Sequence, residues 1–390
     1  MIFAAPRLEP IDRDVIERIL ATKRSLQHTL AVPRRWNGLL RRSTMGRAIR
    51  GSNSIEGYRI SRHDVIAAAQ GESVEANEET GRAIEGYRRA MNHVLQLARD
   101  PHFVWSEQVI KSLHFMMLEH DLDKTPGMWR EKAIYVYDED TRQQVYEGPD
   151  FSQVADLMRD VVESMQNPEP TVPNMVGAAL SHLNLTMIHP FRDGNGRMAR
   201  CLQTLVLGRG GILEPTFSSI EEYLGYNQGP YYDVLAEVGR GSWHPGNDAR
   251  PFVRFCLRAH YYQANTMLRR VREGERLYDA LAKLAASRGL PERTALALWD
   301  AAQGFKVVNA TYRSAADVSQ QVASRDLTAL AAGGLLLAEG EKRARSYRAA
   351  EVVANAQKNV EENGVIPDPY SDTPNAPTPS TTTGGSPKIR

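Results

Sequence analysis

His189-Pro190-Phe191-Arg192-Asp193-Gly194-Asn195-Gly196-Arg197 gathers a histidine, an aspartate, two glycines, an asparagine and two arginines into nine residues. Before it, Met175 to Ile188 places apolar or small residues at Val176, Ala179, Leu183 and Met187, the spacing of a helix. Pro190 and the glycines break that period, and it resumes at Met198, Cys201, Leu202 and Leu205. The stretch therefore reads as a loop between two helices, ending at a helix N-terminus.

The first turn of a helix presents backbone N–H groups without intrahelical partners, and the helix dipole adds partial positive charge there. Anions bind such sites readily. Gly194 and Gly196 let the backbone approach a ligand closely. Arg197 and Arg200, one turn apart on the following helix, can both reach an anion at its start, and two arginines point to more than one phosphate. His189 offers a base that is neutral near pH 7, and Asp193 a hard oxygen ligand suited to Mg²⁺. Together these describe phosphoryl or nucleotidyl transfer. Phe191 reads as an anchor of the loop to the core, and His182, inside the preceding helix, as a packed histidine.

The rest of the chain is ordinary for a globular protein: 390 residues, 42% hydrophobic, 24% charged and a net charge of +1. That balance excludes a protein that coats nucleic acid over its whole surface. The two cysteines, Cys201 and Cys256, are too few and too far apart for a disulfide scaffold or a zinc site, which fits a reducing cytoplasm. No apolar run approaches the ~20 residues that span a bilayer. Residues 367–390, rich in Pro, Thr, Ser and Gly, are expected to be a disordered tail.

Helical patterns cover Ile11–Thr29, Trp36–Ile55, Ala83–Ala98, Ser106–Glu119 and Phe151–Met165, and the basic run Arg41, Arg42, Arg47 and Arg50 reads as a solvated face. Ile134–Tyr146 breaks the pattern with β-branched and aromatic residues around a polar turn, a hairpin signal. Ser218–Leu235 mixes acid, amide and aromatic groups: Asn227, Tyr231 and Tyr232 can meet a nucleobase, and core packing accounts for the tyrosines as well. Near the C-terminus, a helix over Ala295–Gln303, a helix-turn-helix within Asn309–Leu336 and two strands in Leu335–Ala350 resemble a winged helix-turn-helix, with DNA as one partner and protein docking or dimerisation as the alternative. Arg325 is the only cation between Ser319 and Leu330, so Lys342, Arg343 and Arg345 on the wing are the better phosphate contacts.

With Met198, Ala199 and Arg200 added, the opening stretch resembles the full signature of the Fic family of AMP-transferring enzymes, HxFx(D/E)GNGRxxR. The resemblance implies a mainly α fold: a helical core with a small β-hairpin flap at 134–146, on which a target segment pairs by its main chain. On that reading the chain divides into an N-terminal helical region (1–100), a catalytic core (101–270), a winged-helix-like unit (288–350) and the tail (367–390). ATP is the implied substrate. His189 is the base, Asp193 the Mg²⁺ ligand, Asn195 with the amides around Gly194 and Gly196 the α-phosphate site, Arg197 the β-phosphate side and Arg200 the γ-phosphate partner. Doc-like relatives that transfer phosphate carry a lysine where this chain has Gly196.

Ser52-Asn-Ser-Ile-Glu56-Gly57 matches the same family's inhibitory pattern, (S/T)xxxE(G/N). Ser52 and Glu56 are one turn apart on one helix face, and Gly57 lets the helix end beyond them. The resemblance pairs Glu56 with Arg200. It implies a self-inhibited protein adenylyltransferase acting on a Ser, Thr or Tyr hydroxyl of a target protein, with AMP removal open as a second activity and a homodimer as an open state. The alternative is a nucleotide-sensing, DNA-binding regulator.

Overall fold

The computed structural model describes residues 1–138, 141–211, 215–341 and 345–371. The tip of the expected hairpin at 139–140, Lys342 and Arg343 of the expected wing, and 372–390 of the expected tail lie outside the described residues, while 367–371 are ordered, contrary to expectation, because Asp368 pairs with Arg258 and Tyr370 packs on the core. Helix α1 (Pro10–Ala31) turns Val15, Ile16, Ile19 and Leu26 inward along one stripe. α2 (Asn37–Ile55) is sunk into the molecule on several sides and stops at Glu56, followed by Gly57 at φ +83°. The short α3 (Val65–Gln70) packs on it. α4 (Glu78–Leu97) and α5 (Glu107–Leu118) start on side-chain caps: Asn77 accepts from the N–H of Thr80, and Ser106 from that of Val109.

Strands β1 (Tyr135–Tyr137) and β2 (Gln144–Glu147) form the expected hairpin, antiparallel, with a register irregularity between Val136 and Tyr137. α6 (Val154–Gln166) and α7 (Asn174–Ile188) follow. α7 is buried almost all round, which suits a central helix, and α8 (Asn195–Arg209) is its closest partner. One apolar cluster unites α4, α5, α6 and the inner faces of α7 and α8 through Tyr87, Met91, Leu113, Val161, Leu185 and Leu202.

Past the short α9 (Pro215–Ser218), α10 (Glu221–Tyr226) and α11 (Gln228–Gly239) lead to α12 (Arg250–Ser287), a 38-residue helix. A second cluster joins α1, α7, α11 and the first half of α12 through Val15, Ile19, Leu183, Tyr231 and Phe252. α13 (Ala295–Ala302), α14 (Asn309–Ala316), α15 (Gln320–Ala332), the antiparallel pair β3 (Leu336–Glu339) and β4 (Ser346–Ala349), and α16 (Glu351–Lys358) are the last elements among the described residues. Val307 adds an isolated antiparallel bridge to Tyr347 on β4. On the exposed face of α15, Gln320, Gln321, Ser324 and Thr328 surround Arg325, its one cation, while Asp326 turns inward to Arg293 and Tyr312.

The third cluster crosses the expected boundary at 288. Trp36, Leu39 and Leu40 of the α2 region sit in one apolar core with Trp299, Tyr312, Leu327 and Tyr347. Arg41 is exposed, but Arg42 and Arg47 of the basic run on α2 are not on the solvated face its composition predicts. Arg42 is paired to the buried Asp300 of α13 at 2.5 Å, and Arg47 reaches Gln303 Oε1 at 3.2 Å and stacks over Phe305. A charged helix can be buried when a neighbouring element supplies its counter-charge, and that partner lies more than 250 residues away in sequence.

Candidate active site

α7 ends on His189. Its backbone sits at φ +51°, a left-handed conformation that non-glycine residues adopt uncommonly. Arg130 holds it there. The guanidinium, 6% exposed, donates to the carbonyl of His189 at 2.9 Å, to that of Lys132 at 2.8 Å and to that of Pro149 at 2.6 Å, and the Arg130 N–H donates to the carbonyl of Pro190 at 2.9 Å. This brace was not assigned from sequence. Nothing local in the sequence shows that the donors of Arg130 end on the loop.

The His189 ring has Nδ1 at 3.1 Å from the Thr186 carbonyl. A carbonyl only accepts, so Nδ1 carries the proton and Nε2 is left as the basic nitrogen. Burial holds this imidazole below its ordinary range. Phe191 is fully buried and stacks on His114, centroids 3.6 Å apart and planes 5° from parallel, with Trp129 at 4.9 Å. His114 accepts from the Gly127 N–H at Nδ1 and donates from Nε2 to the Asp193 carbonyl at 2.9 Å, and burial lowers its pKa to about 4. Phe191 is the anchor that the sequence suggested. The histidine beneath it had no sequence signal.

Gly194 caps α8 at φ +74°, a left-handed conformation that favours glycine, with Leu118 Cδ1 packed 2.9 Å from where a Cβ would stand. Asp193 turns Oδ1 to the Gly194 N–H at 2.6 Å and Oδ2 to Lys124 Nζ at 3.3 Å. Burial works to raise its pKa, but Arg197, Lys124 and the Gly194 amide outweigh that and keep it ionised below the usual carboxylate range. Among the described residues no group of three or more His, Cys, Asp or Glu side chains converges to hold a metal. A lone carboxylate can serve Mg²⁺ only where phosphates and water complete its shell.

Asn195 spends both ends of its amide on Phe191: Oδ1 accepts from its N–H and Nδ2 donates to its carbonyl, each at 2.9 Å. The side chain ties the loop, so what Asn195 offers an anion is its main-chain N–H in the first turn of α8, beside those of Gly196 and Arg197. Arg197 is 1% exposed and lies 5.0 Å over the Tyr58 ring, while its Nε and Nη1 have no hydrogen-bond partner among the described residues. Such donors are costly to bury and mark a place for an anion.

Arg200, also 1% exposed, is held from α2. Its Nε donates to Ser52 Oγ at 2.7 Å, and its Nη2 to the Ser52 carbonyl at 3.0 Å and to Glu56 Oε1 at 2.7 Å. A Cβ built on Gly196 would stand 2.3 Å from that same Glu56 oxygen. The carboxylate therefore lies directly over the start of α8, in space that only a glycine leaves open.

The residues assigned to a nucleobase divide. Tyr232 is half-buried at the end of α2 and donates to the carbonyl of Ile55, next to Glu56, at 3.1 Å. Asn227 joins α10 to α11 and donates to the Tyr223 carbonyl at 2.8 Å. Tyr231 needs correcting: it is 1% exposed in the core, with its hydroxyl 2.8 Å from Nε2 of the fully buried His182, and offers no ring face to a base. Adjacent residues on a helix point about 100° apart, which decides between two tyrosines the sequence left equal. The flap is fixed at one side: Tyr146 donates to the Met187 carbonyl at 2.8 Å, and Glu147 pairs with the main chain of 241–243.

An arginine with unspent donors, a first-turn amide cradle and a buried histidine on one loop of a helical core form an arrangement suited to an anion with a base beside it. Residues 104–207 match the model of the Fic/DOC family, and the chain carries a domain of that family. It is 33% identical over 150 residues to the protein adenylyltransferase Fic of Nematostella vectensis, covering 38% of this chain and 31% of that protein. It is 26% identical over 263 residues to the protein adenylyltransferase fic-1 of Caenorhabditis briggsae, covering 65% and 46%. The match thus spans less than half the length of either relative. Among solved structures, a Fic family protein from Desulfovibrio desulfuricans aligns with a TM-score of 0.57 at 20% identity over 89% of this chain and 98% of that one, and Fic-1 from Caenorhabditis elegans with 0.52 at 23% over 66% and 72%. These two likenesses show the fold. No helix among the described residues is long and apolar enough to cross a membrane.

Proposed function

We propose that the chain is a self-inhibited protein adenylyltransferase, moving AMP from ATP to a hydroxyl of a target protein. The observation that carries the reading is the pairing of Ser52 and Glu56 with Arg200 over the mouth of α8, next to an Arg197 whose donors are unspent. His189 Nε2 takes the proton of the attacking hydroxyl as its oxygen bonds to the α-phosphorus. The bond to the β-phosphate oxygen breaks and pyrophosphate leaves. A positioned base of this kind contributes about 10²–10⁴-fold. The first-turn amides of α8 receive the α-phosphate, Arg197 the β-phosphate side and Arg200, once released, the γ-phosphate. Asp193 is the residue that would hold Mg²⁺ with the phosphates, in exchange for Lys124, and the ion would offset the negative charge gathering on the leaving group. The exposed Tyr135 and Tyr137 on β1 leave an outer strand edge against which an extended target segment pairs by main-chain hydrogen bonds.

Incubation with ATP labelled at the α- or the γ-phosphate tests the reaction. Protein-bound label is expected from the α position alone. Label retained from the γ position would make the chain a phosphotransferase, and label from neither, in a Glu56→Gly variant offered host proteins, would remove the transfer reading.

A further inference from the structure

A basic cavity of about 290 Å³ lies between α2, the segment that leaves it, and the α10–α11 corner. Arg47, Arg50 and Ser54 line it from α2, Arg59 from the following segment, and Tyr226 and Gln228 from the corner. At 100° per residue, Arg47, Arg50 and Ser54 centre about 180° from Ser52 and Glu56 on α2. The cavity therefore backs onto the face of the helix opposite the one that holds Arg200, and shares no residue with the loop from His189 to Arg200.

Its charge is unbalanced. The carboxylate in its lining, Glu222, is already engaged by Arg270 at 2.6 and 2.8 Å and stands 3.9 Å from Arg47. Arg50 is satisfied by neutral acceptors, the Ile60 carbonyl at 3.2 Å and the Tyr226 hydroxyl at 3.3 Å. Arg59 is exposed and has no ion pair among the described residues. Arg47 is 13% exposed at its side chain, and its Nε is buried without a hydrogen-bond partner among the described residues. Burial and the like charges of Arg270 and Arg62 bring its pKa down to about 10, against a partial offset from Glu222. An arginine fork crowded by cations, with a buried donor unspent, is stabilised by an added anion, and guanidinium groups match phosphate oxygens in particular. The volume suits a small phosphorylated molecule.

We propose that this cavity is a second anion site, taking a phosphate-bearing small molecule, and that its occupant holds Glu56 in its restraining position. The walls make the connection. Arg47, Arg50 and Ser54 precede Glu56 in the chain and Arg59 follows it, so an anion bridging Arg50 and Arg59 ties together the two sides of the turn on which Glu56 sits. The third wall does not yield: a Cβ on Gly225 would lie 2.5 Å from the Gly51 Cα, so α2 and α10 touch backbone to backbone. The regulatory consequence rests on the adenylyl-transfer reading, whereas the binding and its local effect stand apart from it.

Inorganic pyrophosphate titrated into the full chain by calorimetry tests the site, with Arg197→Gln and an Arg50→Gln/Arg59→Gln double variant beside the wild type. Two sites are expected in the wild type, one at α8 and one here. Arg197→Gln should lose the first and the double variant the second. Amide exchange over residues 54–60, which include the Glu56 and Tyr58 amides bonded to the Asn53 carbonyl, should slow about tenfold on saturation in the wild type and in Arg197→Gln but not in the double variant. A double variant that binds as the wild type does, or a wild type that binds no pyrophosphate beyond α8, overturns the site. Two-site binding with unchanged exchange over 54–60 overturns its hold on Glu56. None of these readouts requires AMP transfer, so each is separable from failure of the proposed reaction.

Discussion

Glu56→Gly should raise AMP transfer, where most substitutions at an active site lower it. In the structure Arg200 Nη2 divides itself between the Ser52 carbonyl and Glu56 Oε1, and the Glu56 carboxylate covers Gly196 at the mouth of α8. The substitution leaves both Ser52 contacts, His189 and Asp193 in place and removes one hydrogen bond between charged groups. Such a bond contributes about 1.5–3 kcal/mol. If that is the free energy by which the γ-phosphate must outcompete the glutamate, its removal shifts the competition by about 10- to 150-fold. Initial rates of self-modification across a range of ATP concentrations measure it, with Glu56→Gln, which keeps an acceptor oxygen but no charge, expected between wild type and Glu56→Gly. Arg200 loses its counter-charge in the same variant, so the Tm without nucleotide should fall and ATP should restore more of it than in the wild type. The double variant Glu56→Gly/Arg200→Ala should lose the gain in rate. A folded Glu56→Gly no faster than wild type at any ATP concentration would refute the reasoning and leave Glu56 as a carboxylate ending a helix.

His189→Ala should abolish transfer while ATP affinity, measured by calorimetry, stays within about threefold, because on the proposed mechanism the ring takes a proton and holds no phosphate. With His189 as the proposed base in its neutral form and burial lowering its pKa, the rate of the Glu56→Gly variant should persist below the ordinary imidazole range as pH falls, and a decline that begins above pH 6.5 would contradict this. Stability has its own pH dependence: His114, at about 4 in the fold and about 6.5 when unfolded, takes up its proton only in the unfolded state, so stability is complete above pH 6.5 and declines towards pH 4, by about 2 kcal/mol at pH 5. Urea midpoints should show a shallower decline between pH 6.5 and 5 in His114→Gln. Arg130→Met, which leaves the carbonyls of His189, Lys132 and Pro149 without their donor, should cut the turnover of Glu56→Gly at least tenfold with little change in KM, and an unchanged turnover would show that the left-handed backbone at His189 needs no brace.

The helices were legible because their periodicity is local. The patterns read at Trp36–Ile55, Ser106–Glu119 and Met175–Ile188 fall within one or two residues of α2, α5 and α7. The loop from His189 to Arg197 was legible as a loop between two helices because Pro190 and the glycines break the helical period. What a sequence conceals is which atoms are already spent. Asn195 reads as a phosphate ligand, yet its amide closes the loop on Phe191. Tyr231 and Tyr232 are interchangeable on paper, and one helical step sends the first to His182 and the core. Arg42 and Arg47 look solvated until α13 and α10 bring Asp300 and Glu222 against them. Each of these depends on a contact across many residues of chain, and no periodicity encodes it. The expectation of DNA as a partner gains nothing from the structure, since the exposed face of α15 presents Arg325 alone as a cation.

The apolar core that Trp36, Leu39 and Leu40 share with Trp299, Tyr312 and Leu327 sets the terms on which the molecule comes apart. A restraint hung on a free-standing helix could fray while the rest of the protein stayed intact, and its leakiness would track the weakness of that helix alone. Here the helix bearing Glu56 is rooted at its other end in the last hundred residues of the described chain. Heat or denaturant that loosens either side exposes the tryptophans of both, so the two should melt in a single transition. On the proposed reading, proteolytic nicking within 290–350 would loosen the Glu56 restraint before it damaged the loop from His189 to Arg200, and a clipped preparation would be mistaken for an activated one.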